Sequence, residues 1–116
     1  MENHVKISIL LDLYGKLLTQ KQYNFLNDYY NLDLSLSEMA ENYHITRQAV
    51  RDIIKKGEAK LFDLEESLKI MERNKQVEEK IACILAKIAK IQVGAKDEEI
   101  FQTLAAVKRE LNSILV

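Results

Sequence analysis

Not one proline occurs between Met1 and Val116, and the glycines number three, Gly15, Gly57 and Gly94. These two residue types end helices most effectively, so a folded chain that nearly lacks them is held to long, little-interrupted helices. An all-α fold is expected. The 116 residues amount to about one domain, enough for one compact unit with an appendage. Apolar residues at 47% and charged residues at 30% lie near the globular average and indicate neither a disordered nor a membrane-embedded chain.

The apolar positions fall at helical spacing throughout. Ile7, Leu10, Leu11, Tyr14, Leu17 and Leu18 occupy i, i+3, i+4, i+7, i+10 and i+11, one face of a helix over about residues 4–18. Asp12 and Lys16 break this run and no small-residue cleavage site follows it, so it reads as neither signal peptide nor membrane span, and a cytoplasmic location is expected. Thr19-Gln20-Lys21-Gln22 has the form of a capping box and should open a second helix. That helix would bury Tyr23, Leu26 and Tyr30, flanked by Phe25 and Tyr29, and end near Asn31. A second capping box, Ser35-Leu36-Ser37-Glu38, predicts a third helix over about 36–42, and Thr46 is a candidate N-cap for a fourth that carries Ala49, Val50, Ile53 and Ile54 inward.

Beyond Gly57 the pattern resumes with Leu61, Leu64, Leu68 and Met71, either continuing the fourth helix or restarting. It loses phase around Arg73–Gln76. It returns as two 4-3-4-3 seams, Val77, Ile81, Ile84, Ile88, Ile91 and then Ile100, Leu104, Val107, Leu111, Ile114. Gly94 is a helix stop and Asp97-Glu98-Glu99 a start, so the two seams predict an antiparallel helical hairpin. The expected organisation is a domain over residues 1–62 and C-terminal helices over 63–116. Phe101 and Leu115 widen the apolar strip beyond what one partner helix covers. The hairpin should pack on the N-terminal helices or on a second copy; a homodimer is expected. Cys83, the single cysteine, allows no internal disulfide and should pack as a small hydrophobe.

Residues 34–61 have the layout of a helix-turn-helix, in which one helix braces a second that enters the DNA major groove. Ala40 is the small residue where the helices cross, and Ile45, Val50 and Ile53 lock them together. His44 holds the turn position, where glycine is usual because the backbone must adopt a positive φ. Thr46, Arg47, Gln48, Arg51, Asp52 and Lys55 should then project outward, with Lys56 beside them. Arginine can pair with guanine, glutamine with adenine, threonine with phosphate, and lysine neutralises backbone charge. Tyr43 can reach a phosphate or cover the core. The net charge is −1, but residues 46–60 carry Arg47, Arg51, Lys55, Lys56 and Lys60 against Asp52 and Glu58, a local +3. The plain alternative for these cations is a solvated helix face, and Asp52 opposes tight binding to phosphate.

Thr46-Arg47-Gln48-Ala49-Val50 resembles the recognition-helix motif of sigma-factor region 4. The wider run is similar to the YlxM family of small bacterial helix-turn-helix proteins: LLTQKQ at 17–22, Tyr29-Tyr30, SLSEMAE at 35–41, TRQAV at 46–50, Asp52, Ile54-Lys55-Lys56, Glu58 and Leu61. The resemblance covers roughly residues 5–70. It implies a sigma-region-4-like domain without catalytic activity or cofactor, and a link to the signal recognition particle. The partners it implies are nucleic acid, either duplex DNA or the particle's RNA, and the particle's GTPase. A sequence-specific transcription regulator and a sigma-like contact with RNA polymerase are the alternatives.

Nothing in the sequence favours catalysis. His4 lies near an end expected to fray and His44 in a turn; no phosphate loop, HExxH or Cys/His metal spacing occurs. The pairs Glu65-Glu66, Glu78-Glu79 and Glu98-Glu99 stand at adjacent helix positions and point apart.

Overall fold

The computed structural model describes residues 3–91 and 96–114. Among these it contains helices α1 (Asn3–Tyr14), α2 (Gln20–Tyr30), α3 (Leu36–Tyr43), α4 (Arg47–Leu68), α5 (Ile70–Ala89) and α6 (Asp97–Ile114), with a 3₁₀ turn at Gly15–Leu17 and no strand. The fold is all-α, and none of the described helices is long and apolar enough to cross a membrane. The chain divides into two compact units, residues 1–71 and 72–116.

The N-terminal unit is built on one core. Ile7, Leu10, Leu11 and Tyr14 from α1 meet Phe25 and Leu26 from α2, Met39 and Ala40 from α3, and Val50, Ile54 and Leu61 from α4. The expected face of α2 is rotated slightly: Phe25 and Leu26 are buried, whereas Tyr23 stands at the edge over Gly15, where a Cβ would lie 2.8 Å from its ring. Both capping boxes form. The Gln22 amide N–H donates to Thr19 Oγ1 at 3.1 Å and the Glu38 N–H to Ser35 Oγ at 3.0 Å, each answered by the third residue's side chain. His4 is no frayed end. Its Nε2 donates to the Tyr30 carbonyl at 2.8 Å and its ring meets that of Tyr30 edge-on, tying α1 to the end of α2.

α4 runs unbroken through Gly57, which resolves the question of continuity. A Cβ on Gly57 would lie 2.8 Å from Leu26 Cδ1, so the bare position lets α4 cross close over α2. Leu61 is buried, and Leu64 and Met71 pack on the same core, so the expected boundary after residue 62 falls inside a helix and inside the core. The interruption expected near 73–76 also comes earlier, at Lys69, whose φ of 55° ends α4. Buried Tyr14 sets this point. Its hydroxyl donates to Glu65 Oε1 at 2.7 Å and accepts from the Ile70 N–H at 3.1 Å, while Glu65 also accepts from the Met71 N–H at 2.9 Å. The first free N–H groups of α5 are thereby satisfied inside the N-terminal unit.

The C-terminal unit is an antiparallel pair in which rising numbers on α5 meet falling numbers on α6: Lys80 Nζ donates to the Ser113 carbonyl and Lys87 pairs with Glu110. The expected seams are only partly used. Ile84 and Val107 are buried, but Ile81, Ile88, Leu104 and Leu111 are about half exposed. Cys83 does not pack as a hydrophobe; it is exposed, with Sγ 3.6 Å from Glu110 Oε1. Gly94 and Leu115 lie outside the described residues.

Candidate nucleic-acid interface

The α3–turn–α4 segment has helix-turn-helix geometry with a definable joint. His44 adopts φ 57° and ψ 42°, the left-handed conformation the turn requires. Its N–H bonds back to Glu41 at 3.4 Å, and the Ile45 N–H reaches the Ala40 carbonyl at 3.1 Å. This is the double closure of a Schellman motif, with histidine in the glycine place and Ile45 supplying the apolar contact beyond it. Extended Thr46 then opens α4, its Oγ1 accepting from the Ala49 N–H at 3.0 Å. Buried Ala40 lets α3 and α4 approach, and Val50 and Ile54 anchor α4 from behind.

With Val50 and Ile54 held inward, Thr46, Arg47, Gln48, Arg51, Lys55 and Lys56 are all exposed. They do not form one patch. Gln48, Arg51, Asp52 and Lys55 stand at i, i+3, i+4 and i+7 and share one outward strip, with Arg47 beside it on the first turn. Lys56 lies about 100° further round, above Lys60, and forms a second strip on the flank. Among the described residues no carboxylate pairs with Arg47, Arg51, Lys55, Lys56 or Lys60.

The two acids in this stretch are partly engaged. Gln48 Nε2 donates to Asp52 Oδ1 at 2.9 Å, and the Tyr30 hydroxyl donates to Glu58, so Glu58 faces α2 and the outward strip keeps its positive balance. The Gln48–Asp52 bond was not among the expected contacts, although the i, i+4 spacing of an amide and a carboxylate signals it. Tyr43 is committed elsewhere. It stacks on Phe25 with centroids 4.3 Å apart and donates to Asp28, which pushes its pKa up to about 12, first through that bond and then through burial. Its hydroxyl is therefore not offered to a phosphate.

Elsewhere, a solvent-open cleft of about 420 Å³ beside Gly15 and Tyr23 places Asp12 near Lys16 and Gln20, without histidine, cysteine or serine. Among the described residues no three His, Cys, Asp or Glu side chains come together as a metal site.

The chain matches, over residues 1–105, the family model described as YlxM/p13-like helix-turn-helix proteins, UPF0122. It is 53% identical over 79 residues to a UPF0122 protein of Clostridium kluyveri, covering 68% of this chain and 71% of that one. It is 35% identical over 116 residues to one of Clostridium acetobutylicum, with both chains covered in full. A UPF0122 protein of Fusobacterium nucleatum is 41% identical over 81 residues, 70% of this chain and 79% of its own. With its helix-turn-helix joint at His44 and a match spanning most of its length, the chain belongs to the YlxM/p13-like family of helix-turn-helix proteins.

Proposed function

We propose that this protein is a non-enzymatic regulator that binds duplex nucleic acid with the outward strip of α4, as a pair of copies, in the cytoplasm. One observation carries the reading: Gln48, Arg51 and Lys55 share a solvent-facing strip on the first turns of a helix whose opposite face is locked into a core. The Arg51 guanidinium suits the two acceptors of a guanine edge and the Gln48 amide suits adenine. Thr46 uses its oxygen as a cap acceptor, leaving its hydroxyl proton for a phosphate. Arg47, Lys55 and Lys56 supply charge to the backbone on either side.

The test is binding of selected duplexes across a salt series. Affinity should fall steeply with salt. Arg51→Ala should weaken the preferred site by ~1–3 kcal/mol and relax its sequence, whereas Lys55→Ala should weaken all sequences alike and lower the salt slope by about one. An Arg51→Ala protein that binds every sequence like the parent would defeat the reading.

A second reading gives the same strip the RNA or the GTPase of the signal recognition particle. The net charge of −1 favours it, because a dedicated binder of chromosomal duplex usually has a more basic domain. Crosslinking in cells, with sequencing of bound DNA and RNA and mass spectrometry of bound proteins, separates the cases. Recovery of discrete genomic sites supports a transcription regulator, recovery of the particle's RNA or GTPase supports a role in that pathway, and recovery of RNA polymerase alone supports a sigma-like contact.

A further inference from the structure

The C-terminal hairpin has two unlike flanks. On one, polar links close the seam: Lys87 pairs with Glu110, Cys83 Sγ lies 3.6 Å from the same carboxylate, and Lys80 reaches the Ser113 carbonyl at 3.4 Å. The other is apolar and open. On α5, Ile81, Leu85 and Ile88 are 44%, 60% and 46% exposed; on α6, Phe101, Leu104 and Leu111 are 72%, 49% and 48% exposed. At about 100° per residue, the members of each trio lie roughly 40–120° round their helix from buried Ile84 or Val107, all in the same rotational sense. Because the helices run antiparallel, that common sense brings both trios to one side. Of the unit's large apolar side chains, Ile84 and Val107 alone are buried among the described residues.

We propose that this face is a homodimer interface, packed against the same face of a second copy to form a four-helix bundle. The inference deepens the reading of a nucleic-acid binder that works as a pair, and rests on it for the number of copies alone, not for the ligand. Size is the first argument. Each of the six side chains leaves on the order of 100 Å² in water, about 600 Å² per copy and roughly 1,200 Å² for the pair, which reaches the lower end of specific protein interfaces. Composition is the second. Ala82, Ala89 and Ala105 border the large side chains and leave room for their counterparts; of the charges on this side, Glu78 and Asp97 stand at the first turns of the face on their two helices, and Lys108, between Leu104 and Leu111, has a stem long enough to lie flat and carry its ammonium to the rim. The third argument is symmetry. One patch meeting itself across a two-fold axis needs no second surface, and a two-fold pair presents two copies of α4 as repeated half-site readers do.

Sedimentation equilibrium of the full chain over about 1–100 μM, without nucleic acid, tests the proposal directly. Twice the mass of one chain is expected. Leu85→Glu and Phe101→Glu should each weaken self-association by about 100-fold or more, while Ala86→Glu, the same charge on the outer side of α5, should leave it within a few-fold. A single-chain mass at every concentration overturns the proposal, whether the face is then covered by the N-terminal unit or by another protein. So does equal dissociation by Ala86→Glu and Leu85→Glu. The concentration series needs no variant, so it decides the matter even where a substitution unfolds the hairpin. Nucleic-acid binding is read separately: a stable dimer that binds no nucleic acid leaves this proposal standing and removes the functional one.

Discussion

At residue 44 the backbone must turn left-handed, and a histidine does it. Outside glycine that conformation costs on the order of 1 kcal/mol, less for short polar and imidazole side chains than for branched ones. His44→Gly should therefore leave stability unchanged or raise it by up to about 1 kcal/mol, whereas His44→Val should lower it by ~1–2 kcal/mol, both read from urea midpoints at constant slope. A second residue-scale feature is the set of tyrosines donating to carboxylates. Tyr14 is raised above its usual 10.0, chiefly by burial and then by its bond to Glu65; Tyr30 is raised by burial and then by Glu58. Tyr43 is pushed up to about 12, with the Asp28 bond foremost. The folded chain thus keeps these phenolic protons to higher pH than the unfolded chain does. Their contribution is fully present below pH 10 and is lost as pH rises through 10 toward 12. Urea midpoints should fall between pH 9.5 and 11.5, and less steeply in Tyr43→Phe.

At the scale of the element, α4 is the member everything else serves. Its 22 residues carry the outward strip at one end and core residues along the other side, so the strip is only as rigid as the packing behind it. Gly57 looks like a weakness, since a mid-helix glycine costs about 1 kcal/mol relative to alanine. The contact with buried Leu26 shows what it permits. Gly57→Ala alone should therefore gain little or lose up to ~2 kcal/mol through overpacking, and Leu26→Ala alone should cost ~2–5 kcal/mol. In the Leu26→Ala background, Gly57→Ala should become stabilising by up to about 1 kcal/mol, because the added methyl enters vacated space and the helix preference remains. Equal effects in both backgrounds would show that the crossing is not limited by this contact.

For the whole molecule, the two units differ in self-sufficiency. All eleven residues of the main core lie within 1–71, together with both capping boxes, the helix-turn-helix joint and the network that starts α5. A fragment ending at Met71 should unfold cooperatively in urea by circular dichroism and keep the α4 strip. Residues 72–116 alone should be largely unfolded as a single copy, since two helices with Ile84 and Val107 as their buried contact cannot offset the entropy of ordering them, and their helicity should rise with concentration as copies pair. A fully helical, cooperatively melting monomer of that fragment would contradict this account.

Spacing and caps were enough to read the helices. Thr19-Gln22, Ser35-Glu38 and Thr46 act within one helical turn, so their effect is local and visible in the residues themselves; the same holds for the left-handed turn at His44 and for the outward strip from Gln48 to Lys55. Long-range contact decided the rest. Gly57 could be judged harmless only once Leu26 was seen beneath it, the end of α4 was fixed by a tyrosine 51 residues before its partner Glu65, and Tyr43 was tied down by Asp28 on another helix. The heptad spacing of the hairpin was legible, but not its roll: two of the five positions in each seam, Ile81 and Ile88 on α5 and Leu104 and Leu111 on α6, stand exposed, and a periodic pattern states which residues share a face without stating what that face meets.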